Sequence, residues 1–341
     1  MLNIESLIPK IEELTGREIV SAEHIGKGFN NDVVLLIDDE EKKLVLKYNL
    51  SHDTQNPLKK VYYKLKWLRR AVLRAQAAFS LRGTTNAFIR KNYGSMNAPF
   101  LIQQMAHEID SSVKVPYIIN YGKFALEEYG GTPLTEEFTN TKTSKIYASQ
   151  LAEFLTKFHS LLVLPASKKP LYKSLMAHVP LAQNFYKSLI PKKALQIFNE
   201  SVQILSKMSS ADELRTLTHF DIRKPNFVIE KETGKLTLVD WEFAGIRSAY
   251  ADFISNGAYS RDIPYSFMND VVDKYNEISK IKINKLKLKH LFKVSLIDNF
   301  CKYSVTRLLP KEKFEELLNS EVMPLLDCIE KEFVVSSEPQ I

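Results

Sequence analysis

His219, Asp221 and Asn226 stand in H-x-D-x-x-x-x-N spacing within the run LTHFDIRKPNFVI, and Asp240 ends the run VIEKETGKLTLVD. Each residue type answers one demand of phosphoryl transfer to an alcohol. A carboxylate, Asp221, accepts the proton of the attacking hydroxyl. An amide oxygen, Asn226, and a second carboxylate, Asp240, supply the hard oxygen ligands that Mg²⁺ prefers. An isolated H-x-D carries little weight. The linked set, in this order and followed at once by Trp241 and Glu242, carries much more.

These residues need rigid elements to aim them. VIEKETGKLTLVD reads as two short strands around a Gly turn, so its second strand delivers Asp240 beside the loop. Upstream, EIVSAEHIGKGFNNDVVLLIDDEEKKLVLKY alternates apolar runs with turn residues, as three antiparallel strands would. Its first turn contains Gly26, Gly28 and Asn30, and glycines there let backbone N–H groups approach phosphate oxygens. No Gly-Lys-Ser/Thr follows, so this is not a Walker loop. Lys47 ends the third strand, where a lysine can hold the α- and β-phosphates of a nucleotide.

The motifs HFDIRKPNFVI, LVDWEFAG and AYADF resemble those of the aminoglycoside phosphotransferase and choline kinase-like family, a branch of the protein-kinase-like fold. The DWE-aromatic-AG wording looks most like the choline and ethanolamine kinases. The resemblance runs from about Ile25 to Phe253. It implies an α+β, two-lobed protein-kinase-like fold, with a small antiparallel-sheet N-lobe over 1–129 and a mainly helical C-lobe over 130–341. It also implies ATP and Mg²⁺ as cofactors. In FALEEYGGTPL it places a hinge, where backbone groups around Glu127 to Tyr129 would meet adenine. It implies that His219 braces the catalytic loop by hydrogen bonding and that Asp252 anchors the loop backbone from a helix.

The family's helix after the third strand carries a Glu that pairs with the strand lysine. Here the usual place holds Gln103 and Gln104, and Glu108 is the one nearby acid. Either the helix is shifted, with Glu108 as the partner, or the pair is replaced. His159, inside LAEFLTKFHSL, reads as a satisfied core residue and not as a catalyst.

Charge is unevenly placed. The chain carries a formal +7, yet residues 54–107 hold ten Lys or Arg and no acid, so the rest is net acidic. Within this insertion, about 54–98, residues 58–79 have apolar positions at helical spacing with basic residues mostly opposite. The plainest reading is a solvated face; peripheral contact with an anionic membrane is an alternative. Nucleic acid is not expected, because no reading module accompanies the charge. Met1 to Leu14 reads as a short amphipathic helix and not as a secretory leader. No run approaches the roughly 18 apolar residues needed to span a bilayer. Two cysteines, Cys301 and Cys328, exclude a disulfide framework and fit reduced thiols in a cytoplasmic enzyme.

The expected reaction moves the ATP γ-phosphoryl group to a hydroxyl of a small molecule, with a choline- or ethanolamine-like amino alcohol favoured. Trp241 and Glu242 are candidate substrate residues, joined by Phe243, Tyr250, Tyr259 and Tyr265 as rings that could face a quaternary ammonium. Arg247 follows the metal Asp where many relatives carry an acid, which argues against a polycationic substrate. An aminoglycoside, a sugar and a lipid or glycolipid head group remain alternatives. A pseudokinase adaptor, binding an anionic membrane or an acidic protein, is the rival of another class. Oligomeric state is not legible.

Overall fold

The computed structural model describes residues 4–27, 31–49, 98–120, 124–133, 141–176, 178–186, 190–230, 233–254, 263–307 and 309–333. Gly28, Asn30, Tyr259 and the basic helix expected over 58–79 lie outside them. The chain divides into two compact units, Met1–Glu108 with Lys114–Gly131, and Ile109–Val113 with Thr132–Ile341.

The first unit opens with helix α1 (Ile8–Thr15), which Gly16 ends in the left-handed region at φ 66°, its N–H closing on the Glu12 carbonyl. Gly adopts this conformation without the Cβ penalty that other residues meet. Strands β1 (Ile19–Lys27), β2 (Asn31–Asp38) and β3 (Lys43–Asn49) follow, then α2 (Ala98–His107), β5 (Ile118–Asn120) and β6 (Phe124–Glu128), while β4 (Val113–Lys114) falls at the division between the units. The sheet order is β1-β2-β3-β6-β5, antiparallel throughout, and its first three strands are those the alternation predicts.

Strand side chains alternate between faces. Val34, Leu36, Leu44, Leu46, Phe124 and Leu126 therefore share one face, buried with Ile11 of α1 and Ile19. Lys47 and Glu127 take the other face, in a register that pairs Val45 with Glu127 and Lys47 with Ala125. On α2, Ile102, Gln103 and Ala106 are buried. The helix stops at His107.

The second unit is mainly helical. It comprises β7 (Thr132–Pro133), α3 (Thr141–Ser160), α4 (Val179–Tyr186), α5 (Lys192–Lys207), β8 (Arg215–Thr218), β9 (Phe227–Ile229), β10 (Leu236–Leu238), β11 (Gly245–Ser248), α6 (Tyr250–Ile254), α7 (Tyr265–Ile278), α8 (Lys285–Arg307), α9 (Lys311–Leu317) and α10 (Met323–Glu332). Helix α3 packs along α7, and α8 along α4 and α5. Leu151, Phe154, Leu155 and Phe158 recur at helical spacing on α3 and are fully buried. The run KIKINKLKLK, whose short alternation fits a strand or a helix, forms an irregular stretch and then α8. Asn284 caps that helix, its Oδ1 accepting the Lys287 N–H at 2.9 Å.

β9 and β10 form the expected antiparallel hairpin, with Leu238 opposite Phe227. β8 pairs with β11, with Thr218 opposite Gly245. Residues 219–226 bridge β8 to β9, and Asp240 follows β10. Two short ladders thus hold both ends of the motif.

Candidate active site

Asp221 and Asn226 meet directly. Asn226 Nδ2 donates to Asp221 Oδ2 at 2.8 Å and to the Asp221 carbonyl at 2.7 Å, so the loop closes on itself around the amide. With both amide hydrogens engaged on Asp221, the amide oxygen is the atom left for a cation. Arg223 Nε donates to the same Asp221 oxygen at 3.1 Å. Burial pushes the Asp221 carboxyl above the ordinary aspartate range, against the opposing pull of Arg223 and the Asn226 amide.

His219 is buried and is a brace. Its Nδ1 accepts the Asp221 N–H at 3.1 Å, which leaves Nε2–H to donate to the Val239 carbonyl at 3.1 Å. That second bond ties the loop to the segment carrying Asp240. Burial lowers the imidazole's pKa, and a neutral ring fits the donor–acceptor pattern.

Asp252, on α6, is fully buried and grips the loop from behind. Its Oδ2 accepts the His219 N–H at 3.2 Å and Oδ1 the Phe220 N–H at 2.7 Å. His159 Nε2 donates to Oδ2 at 3.1 Å, while Nδ1 accepts from the Tyr275 hydroxyl at 2.9 Å. His159 is thus a core residue with both nitrogens satisfied.

Two non-glycine residues here have left-handed backbones, Phe220 at φ 63° and Asp240 at φ 66°. Such conformations cost about 1–3 kcal/mol each and persist where surrounding contacts impose them. For Phe220 those contacts are Asp252 and the Arg247 guanidinium, which lies 4.0 Å from the ring centroid. Arg247 is itself buried and donates to the Phe243 carbonyl at 2.8 Å. A Cβ at Gly245 would stand 2.9 Å from that guanidinium, so a larger residue there would displace the Arg247 side chain.

Trp241 differs from its expected role. It is 2% exposed, donates Nε1–H to the Leu238 carbonyl at 2.9 Å and packs edge-on against His219, Phe154 and Phe158. A ring held in the core has no face for a substrate. Tyr250 and Tyr265 are buried as well, which removes three rings from the proposed cation cage. Glu242, next in the chain, is exposed.

In the first unit, Lys47 Nζ lies 2.5 Å from Glu127 Oε2, and Gln103 Nε2 donates to Glu127 Oε1 at 2.8 Å and to the Pro116 carbonyl at 2.9 Å. Glu108, expected as the partner of Lys47, is exposed beyond the end of α2. The physical reason is helix length: α2 ends before that residue, and the buried turn presents Gln103 instead. The segment expected to meet adenine has backbone partners of its own. The N–H groups of Glu128 and Tyr129 are taken by the carbonyls of Tyr117 and Lys43, at 3.1 and 3.2 Å. Gly26 closes β1, one residue before its end at Lys27.

A family model described as the phosphotransferase enzyme family matches residues 21–278. The chain belongs to this family. Among solved structures, this phosphotransferase is similar to a macrolide 2'-phosphotransferase from Brachybacterium faecium, at 11% identity and TM-score 0.59 over 93% of this chain and 98% of that one. It is similar to a spectinomycin phosphotransferase in complex with ADP and spectinomycin, at 14% identity and TM-score 0.54 over 97% and 94%. An aminoglycoside 2'-phosphotransferase in its GDP complex matches at 13% identity and TM-score 0.55 over 97% and 99%. No curated protein matches the chain. At these identities the likeness shows the fold, which is the α+β, two-lobed protein-kinase-like fold.

Three polar contacts in the phosphotransferase escaped sequence reasoning. Arg223 sits two residues from Asp221 and could have been suspected from proximity. Arg247 and Gln103 act through partners far away in the chain, and no local pattern marks them. No helix among the described residues is long and apolar enough to cross a membrane.

Proposed function

We propose that this phosphotransferase moves the γ-phosphoryl group of ATP to the hydroxyl of a small alcohol in a Mg²⁺-dependent reaction. The observation that carries this reading is the direct Asp221–Asn226 bond on a loop pinned by Asp252. Asp221 Oδ2 is held by Asn226 and Arg223, so Oδ1 is the oxygen assigned to the substrate hydroxyl, which it orients and whose proton it accepts. Its raised pKa suits it to holding that proton.

The donor set of Asn226 and Asp240, one amide oxygen and one carboxylate, fits a hard divalent ion. Mg²⁺ bound there would neutralise charge on the phosphates. Lys47 would hold the nucleotide's phosphates, and the Gly26 to Asn30 turn would offer them backbone N–H groups. The transition state is loose, so alignment and charge stabilisation outweigh base strength.

The DWEFAG wording makes an amino alcohol of the choline or ethanolamine type the first substrate class to test, with Glu242 as the carboxylate for its cationic end. Burial of Trp241, Tyr250 and Tyr265 means that recognition rests on charge more than on an aromatic cage. The intact loop speaks against an adaptor, which would not need Asp221 and Asn226 so arranged. Labelled ATP offered with choline, ethanolamine, aminoglycosides, macrolides and simple sugars tests the reading. Labelled product from an amino alcohol supports it, product from another acceptor alone replaces the substrate class, and no product from any hydroxyl acceptor opposes it.

A further inference from the structure

Glu127 sits where the sequence gives no reason to expect a charged side chain of consequence. It belongs to β6, is 3% exposed and faces away from the sheet's apolar core. Its two oxygens are divided between two partners, Oε2 toward Lys47 on β3 and Oε1 toward Gln103 on α2. Gln103 is itself buried and locked by its second bond to the Pro116 carbonyl. The three side chains form a line across three elements: strand lysine, strand carboxylate, helix amide.

A buried ion pair is a poor stabiliser, because desolvation offsets much of the Coulomb gain, and an apolar pair of similar volume often serves as well. Its geometry is what it supplies. A lysine has four rotatable bonds, and a carboxylate fixed at both ends removes most of that freedom from the ammonium. Fixing Glu127 from the helix side means that α2 acts on Lys47 through Gln103 and Glu127, without an acid of its own.

We infer that Glu127 is the positioning residue for Lys47, with Gln103 coupling α2 to it, and that this strand-borne pair takes the place of one between Lys47 and an acidic residue on α2. The inference rests on the reading of Lys47 as the nucleotide lysine. Glu127 leads through Glu128 into Tyr129, Gly130 and Gly131, so a single strand carries the lysine's partner and runs on into the connection that follows it.

Moving the carboxylate tests this. Glu127→Gln removes the charge from the strand. Gln103→Glu with Glu127→Gln returns it on the helix and permits the same run of bonds, Lys47 to an amide oxygen and an amide N–H to a carboxylate, at the loss of the Pro116 contact. Affinity for Mg·ADP by calorimetry, kcat and KM for ATP, and Tm are measured for both variants and for Lys47→Ala. The expected result is about tenfold or greater weakening of nucleotide affinity in Glu127→Gln, the scale of one charge-assisted hydrogen bond, with Tm little changed. The double variant recovers to within about threefold of wild type.

Wild-type affinity in Glu127→Gln, or a double variant no better than it, overturns the inference. If Glu127→Gln does not fold, the double variant against wild type decides, near-native affinity supporting the inference and a tenfold loss overturning it. Lys47→Ala separates the two layers. Unchanged nucleotide affinity there rejects the role of Lys47 itself, whereas a defect there beside a normal Glu127→Gln rejects only the positioning.

Discussion

Phe220 donates its backbone N–H to Asp252 Oδ1 at 2.7 Å, and this bond fixes the 219–226 loop to α6. Phe220 holds a left-handed backbone at φ 63°, which a bulky side chain does not adopt unaided. Asp252 compensates that strain, and the result is that His219 and Asp221, on either side of Phe220, point in fixed directions. The other oxygen of Asp252 takes the His219 N–H and the His159 ring, so one carboxylate connects the loop, α3 and, through His159, Tyr275 of α7.

Replacing Asp252 with Ala leaves two buried backbone N–H groups and the His159 ring without their acceptor. A loss of about 3 kcal/mol is expected, the scale for breaking a buried charged network. For a unit of this size that is roughly a 6–12 °C drop in Tm. Thermal melting by circular dichroism checks it, and a drop under about 2 °C would show that the loop holds without the anchor.

Asp221→Asn should preserve the contact with Asn226 in outline while removing the proton acceptor. A fall in kcat of about a hundredfold or more is expected, the usual scale for losing a general base, with nucleotide affinity retained. Turnover at the wild-type rate would remove Asp221 from its role.

The acid limb of the kcat/KM profile reports the ionisation of Asp221 in the free enzyme. Because burial raises this pKa, activity falls at a higher pH than an ordinary aspartate would give. Arg223 opposes that rise, so Arg223→Gln should move the acid limb further upward. A limb that stays in place, or moves down, contradicts the assignment.

Asp240→Ala takes away the carboxylate ligand proposed for Mg²⁺. Nucleotide binding should lose its dependence on Mg²⁺, measured by calorimetry with and without the ion. An unchanged Mg²⁺ dependence would place the metal elsewhere.

Stability should weaken in mild acid through two buried histidines. Burial lowers the pKa of His219, and burial with neighbouring Lys293 lowers that of His290 to about 4. Both are neutral in the fold and take up protons only when unfolded, near the ordinary value of about 6.5. Their contribution is complete above that value and is lost progressively as pH falls toward the folded pKa, by up to about 1.4 kcal/mol per pH unit for each group. His290→Gln should therefore flatten the decline of Tm between about pH 7 and 5, the window below the histidine reference value. An equal slope in the variant and the wild type would show that His290 is not one of the groups responsible.

Residue order alone pointed to the proposed chemistry. His219, Asp221, Asn226 and Asp240 could be singled out from spacing because the segment is local: eight residues run from His219 to Asn226, and a short hairpin leads on to Asp240. The three N-terminal strands were legible for a similar reason, since period-two alternation records which face is buried. Helix α8 was only half legible, because a short alternating run fits either period until a cap such as Asn284 settles it.

Tertiary structure decided the partners. Trp241 follows Asp240 as an aromatic neighbour would follow a binding site, yet packing against Phe154 and Phe158 of α3 turns it into the core. The acid for Lys47 could not be found by walking along the chain from β3 to α2. It lies on β6, placed beside Lys47 by strand register across about eighty residues of sequence. A strand pairing of that separation leaves no periodic trace in the sequence, and it is the pairing that selects Glu127 over Glu108.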